Sequence, residues 1–354
     1  MRTPHRLVAV VAVPLLAVVA ACGSPQSAPP GQGGGGATGG GGNADTKVTI
    51  GIGGQTLLTY LPTTLAQELG YYKEAGLDVS LQDLQGGSKA LTAMIGGSTD
   101  VTSGYYEHTI QMQAKNQQVK AFANLNQSPG VVLVVAPKNK DAVSKVGDLQ
   151  GKNIGVTAPG SSTDMFVKYL LNKNGLPLDA ASVSGIGAGS SAVAAVEKGQ
   201  VDAAVMLEPD ITVLAKRIGS APKVLADTRT HQQVQALYGT QTWPSSSFYA
   251  KSDWLQQNPE KAKKLANAMT KTLTWIQQHS GEEIAAKMPA NFNGGDAAQY
   301  AKVVGELKET LSKDGKFTDA GAQAVLKTQQ LANPEVKGKT IDLATTYTNE
   351  FVGG

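Results

Sequence analysis

The chain of 354 residues carries 31 Lys and Arg against 28 Asp and Glu, a net charge of +3, with 41 glycines, one cysteine and 5% aromatic residues. No Lys and Arg cluster is interleaved with aromatics, so the composition argues against a nucleic-acid partner. A single cysteine excludes an internal disulfide and a cysteine-ligated metal cluster.

Arg2, His5 and Arg6 precede Leu7 to Ala21, a run drawn only from Ala, Val, Leu and Pro. It is shorter than the roughly 18 to 20 residues that span a bilayer and reads as the apolar core of an export signal, residues 1–21. Val19-Ala20-Ala21-Cys22-Gly23 resembles a bacterial lipobox, in which Cys22 becomes the acylated first residue. A chain so processed is expected to sit at the outer face of the cytoplasmic membrane through lipid on Cys22. Residues 22–45 are Gly, Pro, Ser, Gln and Ala for most of their length and cannot offset ordering entropy by burial, which predicts a flexible tether.

Beyond the tether, segments repeat at a spacing near 102 residues. Gly87-Ser88-Lys89-Ala90-Leu91-Thr92-Ala93 lies over Gly189-Ser190-Ser191-Ala192-Val193-Ala194-Ala195, Gly97 over Gly199, and Asp100-Val101 over Asp202-Ala203. In the first copy Val48, Ile50 and Ile52 alternate as a strand, Gly53-Gly54 turns, a helix starts near Pro62, and Gly76-Leu77 leads into a strand from Asp78 to Leu84. In the second, Lys152 to Val156 is the strand, Pro159-Gly160 turns, Ser162 to Asn174 is helical, and Gly175-Leu176 leads toward Val183 to Ile186. Strands alternating with helices through short loops predict parallel βαβ units. Two copies predict two similar lobes; two ordinary tandem α/β domains are the alternative.

The apolar runs Val131 to Pro137 and Ser246 to Lys251 are expected to mark two crossings between lobes. Helices from Asp253, from Pro259 to Ser280, from Ala297 to Ser312 and from Asp319 to Leu331 would then pack back on lobe one. The expected partition is 46–136 for the first part of lobe one, 137–246 for lobe two, and 247–354 for the helical second part of lobe one.

In open α/β sheets ligands bind beyond the carboxyl ends of strands, where helix-start amides lack partners. Small residues stand at each such point: Gly53, Gly54, Gln55 and Thr56, Gly87 and Ser88, then Ser103, Gly104, Tyr105 and Tyr106 in lobe one. Lobe two offers Pro159, Gly160, Ser161, Ser162 and Thr163, then Gly187, Gly189 and Ser190. Glycine admits close approach, while Ser and Thr offer hydroxyls or cap the helix. Tyr60, Tyr105, Tyr106 and Trp243 are candidates to cover an organic moiety or to pack the interior. Glu208 is a candidate to bind a cationic or hydroxyl group, with Asp210 as a helix cap. His108 is open between a cleft hydrogen bond and a surface or capping role.

Enzyme signatures are missing. His5, His108, His231 and His279 show no HExxH spacing, there is no GxSxG elbow and no P-loop, and Gly51-Ile52-Gly53-Gly54 lacks the rest of a dinucleotide fingerprint. No cofactor, no metal and no catalytic residue are expected, and the chain is expected to be monomeric.

Five segments together resemble the substrate-binding proteins of bacterial ABC importers in the nitrate, sulfonate and taurine group. They are Leu69-Gly70-Tyr71-Tyr72-Lys73-Glu74-Ala75-Gly76-Leu77-Asp78-Val79, Gly86-Gly87-Ser88, Asp148-Leu149-Gln150-Gly151-Lys152-Asn153-Ile154-Gly155-Val156, Ala158-Pro159-Gly160-Ser161-Ser162, and Glu197-Lys198-Gly199-Gln200-Val201-Asp202-Ala203. The resemblance spans about Lys47 to Leu255. It implies a two-lobed type II periplasmic-binding fold, each lobe a mixed, mainly parallel sheet flanked by helices, joined by a two-segment hinge. It further implies ligand contacts in the loops after strands, and a permease with its ATPase as partners. The candidate loops hold no Arg to pair with an anion, and a zwitterion would reconcile helix starts with a carboxylate. Two other functions remain open: a solute sensor for a membrane kinase, and a protein of thiamine-pyrimidine metabolism. A synthase of that kind needs a Cys-rich motif that a chain with Cys22 alone does not supply.

Overall fold

The computed structural model describes residues 45–353. The expected signal, Cys22 and all of the expected tether but Asp45 lie outside them. Among the described residues no helix is long and apolar enough to cross a membrane.

Among the described residues ten strands form two five-stranded sheets. The first has the order β2-β1-β3-β10-β4, built from β1 (Lys47–Ile52), β2 (Asp78–Asp83), β3 (Val101–Tyr105), β4 (Val119–Asn124) and β10 (Ser246–Lys251). The second has the order β7-β6-β8-β5-β9, from β5 (Val132–Val135), β6 (Asn153–Val156), β7 (Ser182–Gly185), β8 (Ala203–Met206) and β9 (Lys223–Asp227). β1 pairs in parallel with β2 and β3, and β6 with β7 and β8, as the repeat requires. The repeat therefore describes two copies of one sheet topology.

Each copy is completed by a strand from across a crossing. β10 runs antiparallel between β3 and β4, and β5 runs antiparallel between β8 and β9. This corrects the expected use of 131–137. That run is not a crossing: its residues 132–135 are an interior strand of the second sheet, so the second lobe begins near residue 131 rather than 137. An all-Val/Leu run buried on both faces suits an interior strand. The chain crosses just before it, at 125–131, and returns at 239–245, so Ser246 already belongs to the first sheet.

The two crossings are bonded to each other. Trp243 N–H donates to Gln127 O at 2.8 Å, Ser245 N–H to Asn126 O at 3.0 Å, and the Ser245 hydroxyl to Ser128 O at 2.7 Å.

The C-terminal helices serve both lobes. Pro259–Gln278, Gly281–Ala285 and Ala297–Leu307 share a buried cluster with the helix Leu61–Glu68, in which Leu65, Leu273, Ile276 and Ile284 are inaccessible to solvent. The helix Asp319–Ala332 packs against Glu107–Ala114 of the first lobe and also against Ser162–Lys173 of the second. The last C-terminal helix therefore returns to lobe one as expected and in addition contacts lobe two, which places it at the site.

Candidate functional site

The turns at the carboxyl ends of the two sheets meet face to face. Ser88 N–H donates to Ser161 Oγ at 2.9 Å, the Ser88 hydroxyl donates to Pro159 O at 2.8 Å, and Ser161 Oγ lies 3.1 Å from Ser88 Oγ. Leu58 N–H donates to Glu208 O at 2.8 Å. Glycine makes this approach possible: a Cβ on Gly86 would lie 2.8 Å from Ala158 Cβ, and one on Gly54 would lie 3.0 Å from Ala188 Cβ. The cleft is closed.

Beneath the contact lie two chambers that share Tyr105 and Ser162. The front one, which in this closed state leaves only about 10 Å³ for the centre of a water-sized molecule, is lined by Gly53, Leu57, Thr59, Tyr60, Gly87, Tyr105, Thr157, Ser161, Ser162, Thr163 and Leu207. The rear one, which in this closed state leaves only about 10 Å³ for the centre of a water-sized molecule, is lined by Tyr105, Glu107, Pro129, Val131, Ser162, Met165, Phe166, Tyr169, Tyr238, Trp243, Thr328, Gln329 and Ala332. The amides at the starts of Gly87–Ile95 and Ser162–Lys173 open at the front chamber, where helix dipoles favour a negative or strongly accepting group.

The expected site residues divide into three groups. Gly53, Tyr60, Gly87, Tyr105, Ser161, Ser162, Thr163 and Trp243 line a chamber. Gly54, Gln55, Thr56, Ser88, Pro159, Gly160, Gly187, Gly189 and Ser190 do not; they form or flank the rim where the lobes touch, with the Gly189 turn fixed by its N–H on Asp210 Oδ2 at 2.8 Å. The rest point elsewhere. Ser103 is bonded to Thr63 at 2.7 Å, Gly104 is packed under Tyr249, and Tyr106 turns to Thr346 and packs on Phe317 and Tyr347. Tyr106 lies past the end of β3, in helical backbone at the start of Glu107–Ala114, and its ring leaves in a different direction from that of Tyr105.

Glu208 also departs from expectation. Its carboxylate accepts from Arg229 Nη1 at 2.7 Å and from Thr212 N–H at 3.1 Å, which commits both oxygens within the lobe. It borders a separate, mainly apolar cavity near the crossing, with about 30 Å³ for the centre of a water-sized molecule, lined among others by Leu58, Leu207, Ile276 and Leu311. That cavity is larger than either chamber, yet none of the facing glycine turns reaches it. Asp210 does not cap its own helix but braces the Gly189 turn; burial pushes its carboxyl up to about 7, the Gly189 N–H opposing and the Glu208 charge adding to the rise.

His108 is neither surface nor cap. It is fully buried beneath Gly87, with Nδ1 2.9 Å from the Tyr249 hydroxyl, and burial pushes it down to about 4, so it is neutral.

Sequence reading missed Glu107. This residue is 2% exposed, its Oε2 accepts from Gln329 Nε2 at 2.6 Å, and its Oε1 has no hydrogen-bond partner. Ser162 Oγ beside it is also unpartnered; it lies near enough to favour the charged form without meeting hydrogen-bond geometry. Burial pushes the Glu107 carboxyl up to about 7, with Ser162 and Gln329 opposing and Asp164 adding to the rise. Around it stand Tyr105, Tyr169, Tyr238 and Trp243, with the last two rings stacked at 5.7 Å. No Lys or Arg lines either chamber, and among the described residues no group of three or more His, Cys, Asp or Glu is placed to hold a metal.

Comparison with known proteins agrees with this architecture. The family model described as NMT1/THI5 like matches residues 59–283. A solved protein from Bordetella bronchiseptica RB50 is 40% identical, with a TM-score of 0.82 over 86% of this chain and 95% of that one. The alkanesulfonate-binding protein of Xanthomonas axonopodis pv. citri, solved bound to MOPS, superposes with a TM-score of 0.65 at 16% identity, over 86% of this chain and 98% of that one. A binding protein of Bacillus subtilis (strain 168) is 26% identical over 245 residues, 67% of this chain and 68% of its own.

Proposed function

This chain belongs to the NMT1/THI5-like family, and from that premise we propose that it is an extracytoplasmic receptor that closes on a small polar organic solute and delivers it to an ABC import permease. The observation that carries the reading is the pair of facing turns, Gly86-Gly87-Ser88 and Ala158-Pro159-Gly160-Ser161, bonded across a cleft over lined chambers. A solute held in those chambers touches both lobes and so stabilises the closed state over the open one. The alkanesulfonate-binding neighbour supports the solute-receptor class.

The chain acts as a binder rather than a catalyst. His108, lowered to about 4 by burial, is bonded to the Tyr249 hydroxyl rather than to a serine or cysteine that could attack a bound molecule. The single Cys22 gives no set of thiolates for a synthase of the thiamine pyrimidine. Under this proposal lipid on Cys22 tethers a monomer to the outer face of the membrane, with residues 45–130 and 246–353 as one moving lobe and 131–238 as the other.

A thermal-shift screen of sulfonates, nitrate, carboxylates, amines and pyrimidines tests the reading. A solute at about 100 times its Kd should stabilise the protein by about 2.7 kcal/mol, several degrees in Tm. A screen in which no solute raises Tm would remove the proposal's support.

A further inference from the structure

The rear chamber carries evidence about the charge of its occupant. Glu107 Oε1 and Ser162 Oγ are buried, unpartnered and set in its wall, although buried polar atoms are ordinarily paired. Leaving such a group unpaired is costly, more so when it is charged, and a donor brought by a ligand would recover that cost. The remaining wall is aromatic, from Tyr105, Phe166, Tyr169, Tyr238 and Trp243, whose ring faces attract cations.

The charges around Glu107 point the same way. From the packed elements Tyr60, Tyr105, Tyr238, Tyr249 and the Asp164 carboxylate are near enough to interact electrostatically with Glu107. His108, next in the chain, is buried, and Lys168, the nearby cation, is spent on Asp164 at 3.1 Å. An anion entering the chamber would meet a carboxyl and no compensating cation.

We infer that the rear chamber is a subsite for an organic cation, an ammonium or amidinium group whose N–H donates to Glu107 Oε1, with the lobes and rings parting from this tightly closed arrangement to admit the small body that carries it. The inference rests on reading the cleft as the solute site and fixes the charge of one end of that solute. Any acidic end would lie forward, at the helix starts by Gly87 and Ser162. A bound cation favours ionised Glu107, so binding near neutral pH releases a proton.

The test uses benzamidine and benzylamine against benzenesulfonate, benzyl alcohol and nitrate, with Tm and calorimetry on the wild type, Glu107→Gln and Ser162→Ala. The expected result is stabilisation by the two cations only, with heat that varies with buffer ionisation enthalpy as a released proton requires. Affinity should fall at least about tenfold in Glu107→Gln, whose unliganded Tm does not drop. Should Glu107→Gln fail to fold, Ser162→Ala carries the comparison, with a smaller loss expected. Stabilisation by benzenesulfonate or nitrate and not by the cations would overturn the cation subsite and leave the receptor reading standing. So would cation binding that is indifferent to both variants. If neither charge class binds, the cation subsite is wrong, and the broader solute screen judges the receptor reading separately.

Discussion

Gly86→Val should hold the cleft open without unfolding either lobe. Gly86 has extended backbone, φ 178, which any residue adopts, so a side chain there brings no conformational strain. Its nearest obstacle is across the cleft: a Cβ would sit 2.8 Å from Ala158 Cβ, and its next contacts, Thr157 O and Lys89 Cδ, lie at 3.5 and 3.6 Å. To restore ordinary contact at 3.4 Å the lobes must part by about 0.6 Å, and the γ-methyls of Val require more. That separation takes the Ser88 bonds, 2.9 and 2.8 Å long, to the limit of hydrogen bonding. Two such bonds contribute about 1 kcal/mol each, so closure weakens by about 2 kcal/mol, roughly thirtyfold in the closed-to-open ratio. Small-angle scattering should show a larger radius of gyration, and any solute that stabilises the wild type should bind Gly86→Val about thirtyfold more weakly. Wild-type affinity with an unchanged scattering profile would refute the closure geometry.

Three further outcomes follow from single contacts. Ser161→Ala removes the acceptor for Ser88 N–H and should weaken solute binding about fivefold by titration calorimetry, with urea unfolding of the unliganded protein unchanged. Arg229→Met leaves Glu208, whose side chain is 3% exposed, without its cation; because Arg229 itself is 31% exposed, we expect a loss of about 2 kcal/mol in urea unfolding rather than the full cost of a buried pair. His108 is lowered to about 4, so its contribution is fully present above its unfolded value of 6.5 and is lost as pH falls toward 4; His108→Gln should flatten that acid limb of the Tm profile.

The sequence made the doubled architecture legible because the repeat records it directly: Gly87-Ser88 over Gly189-Ser190 and Asp100-Val101 over Asp202-Ala203 mark equivalent turns and strands. It misled over 131–137, since an apolar run says that a strand is buried but not in which sheet, and the pairing of β5 between β8 and β9 depends on residues some 70 to 90 positions away. Equal-looking turns also proved unequal. The first turn of each lobe reaches the chambers, whereas Gly187 to Ser190 serves the rim. Glu107 gave no local signal. Its helix, Glu-His-Thr-Ile-Gln-Met-Gln-Ala, has no apolar face to contrast with a polar one, because nearly every residue is buried. What makes its carboxyl distinctive is supplied by Trp243, Thr328 and Gln329, brought together only by the return crossing and the last long helix.

The most direct measurement is the distance between the lobes as solute is added. In a chain with Cys22→Ser, fluorophores on Lys263→Cys of the first lobe and Lys198→Cys of the second, both exposed, report it by energy transfer. A solute that raises Tm should shorten that distance saturably at the same Kd, and Gly86→Val should blunt the change. A stabilising solute that leaves the distance constant would show that binding does not draw the lobes together.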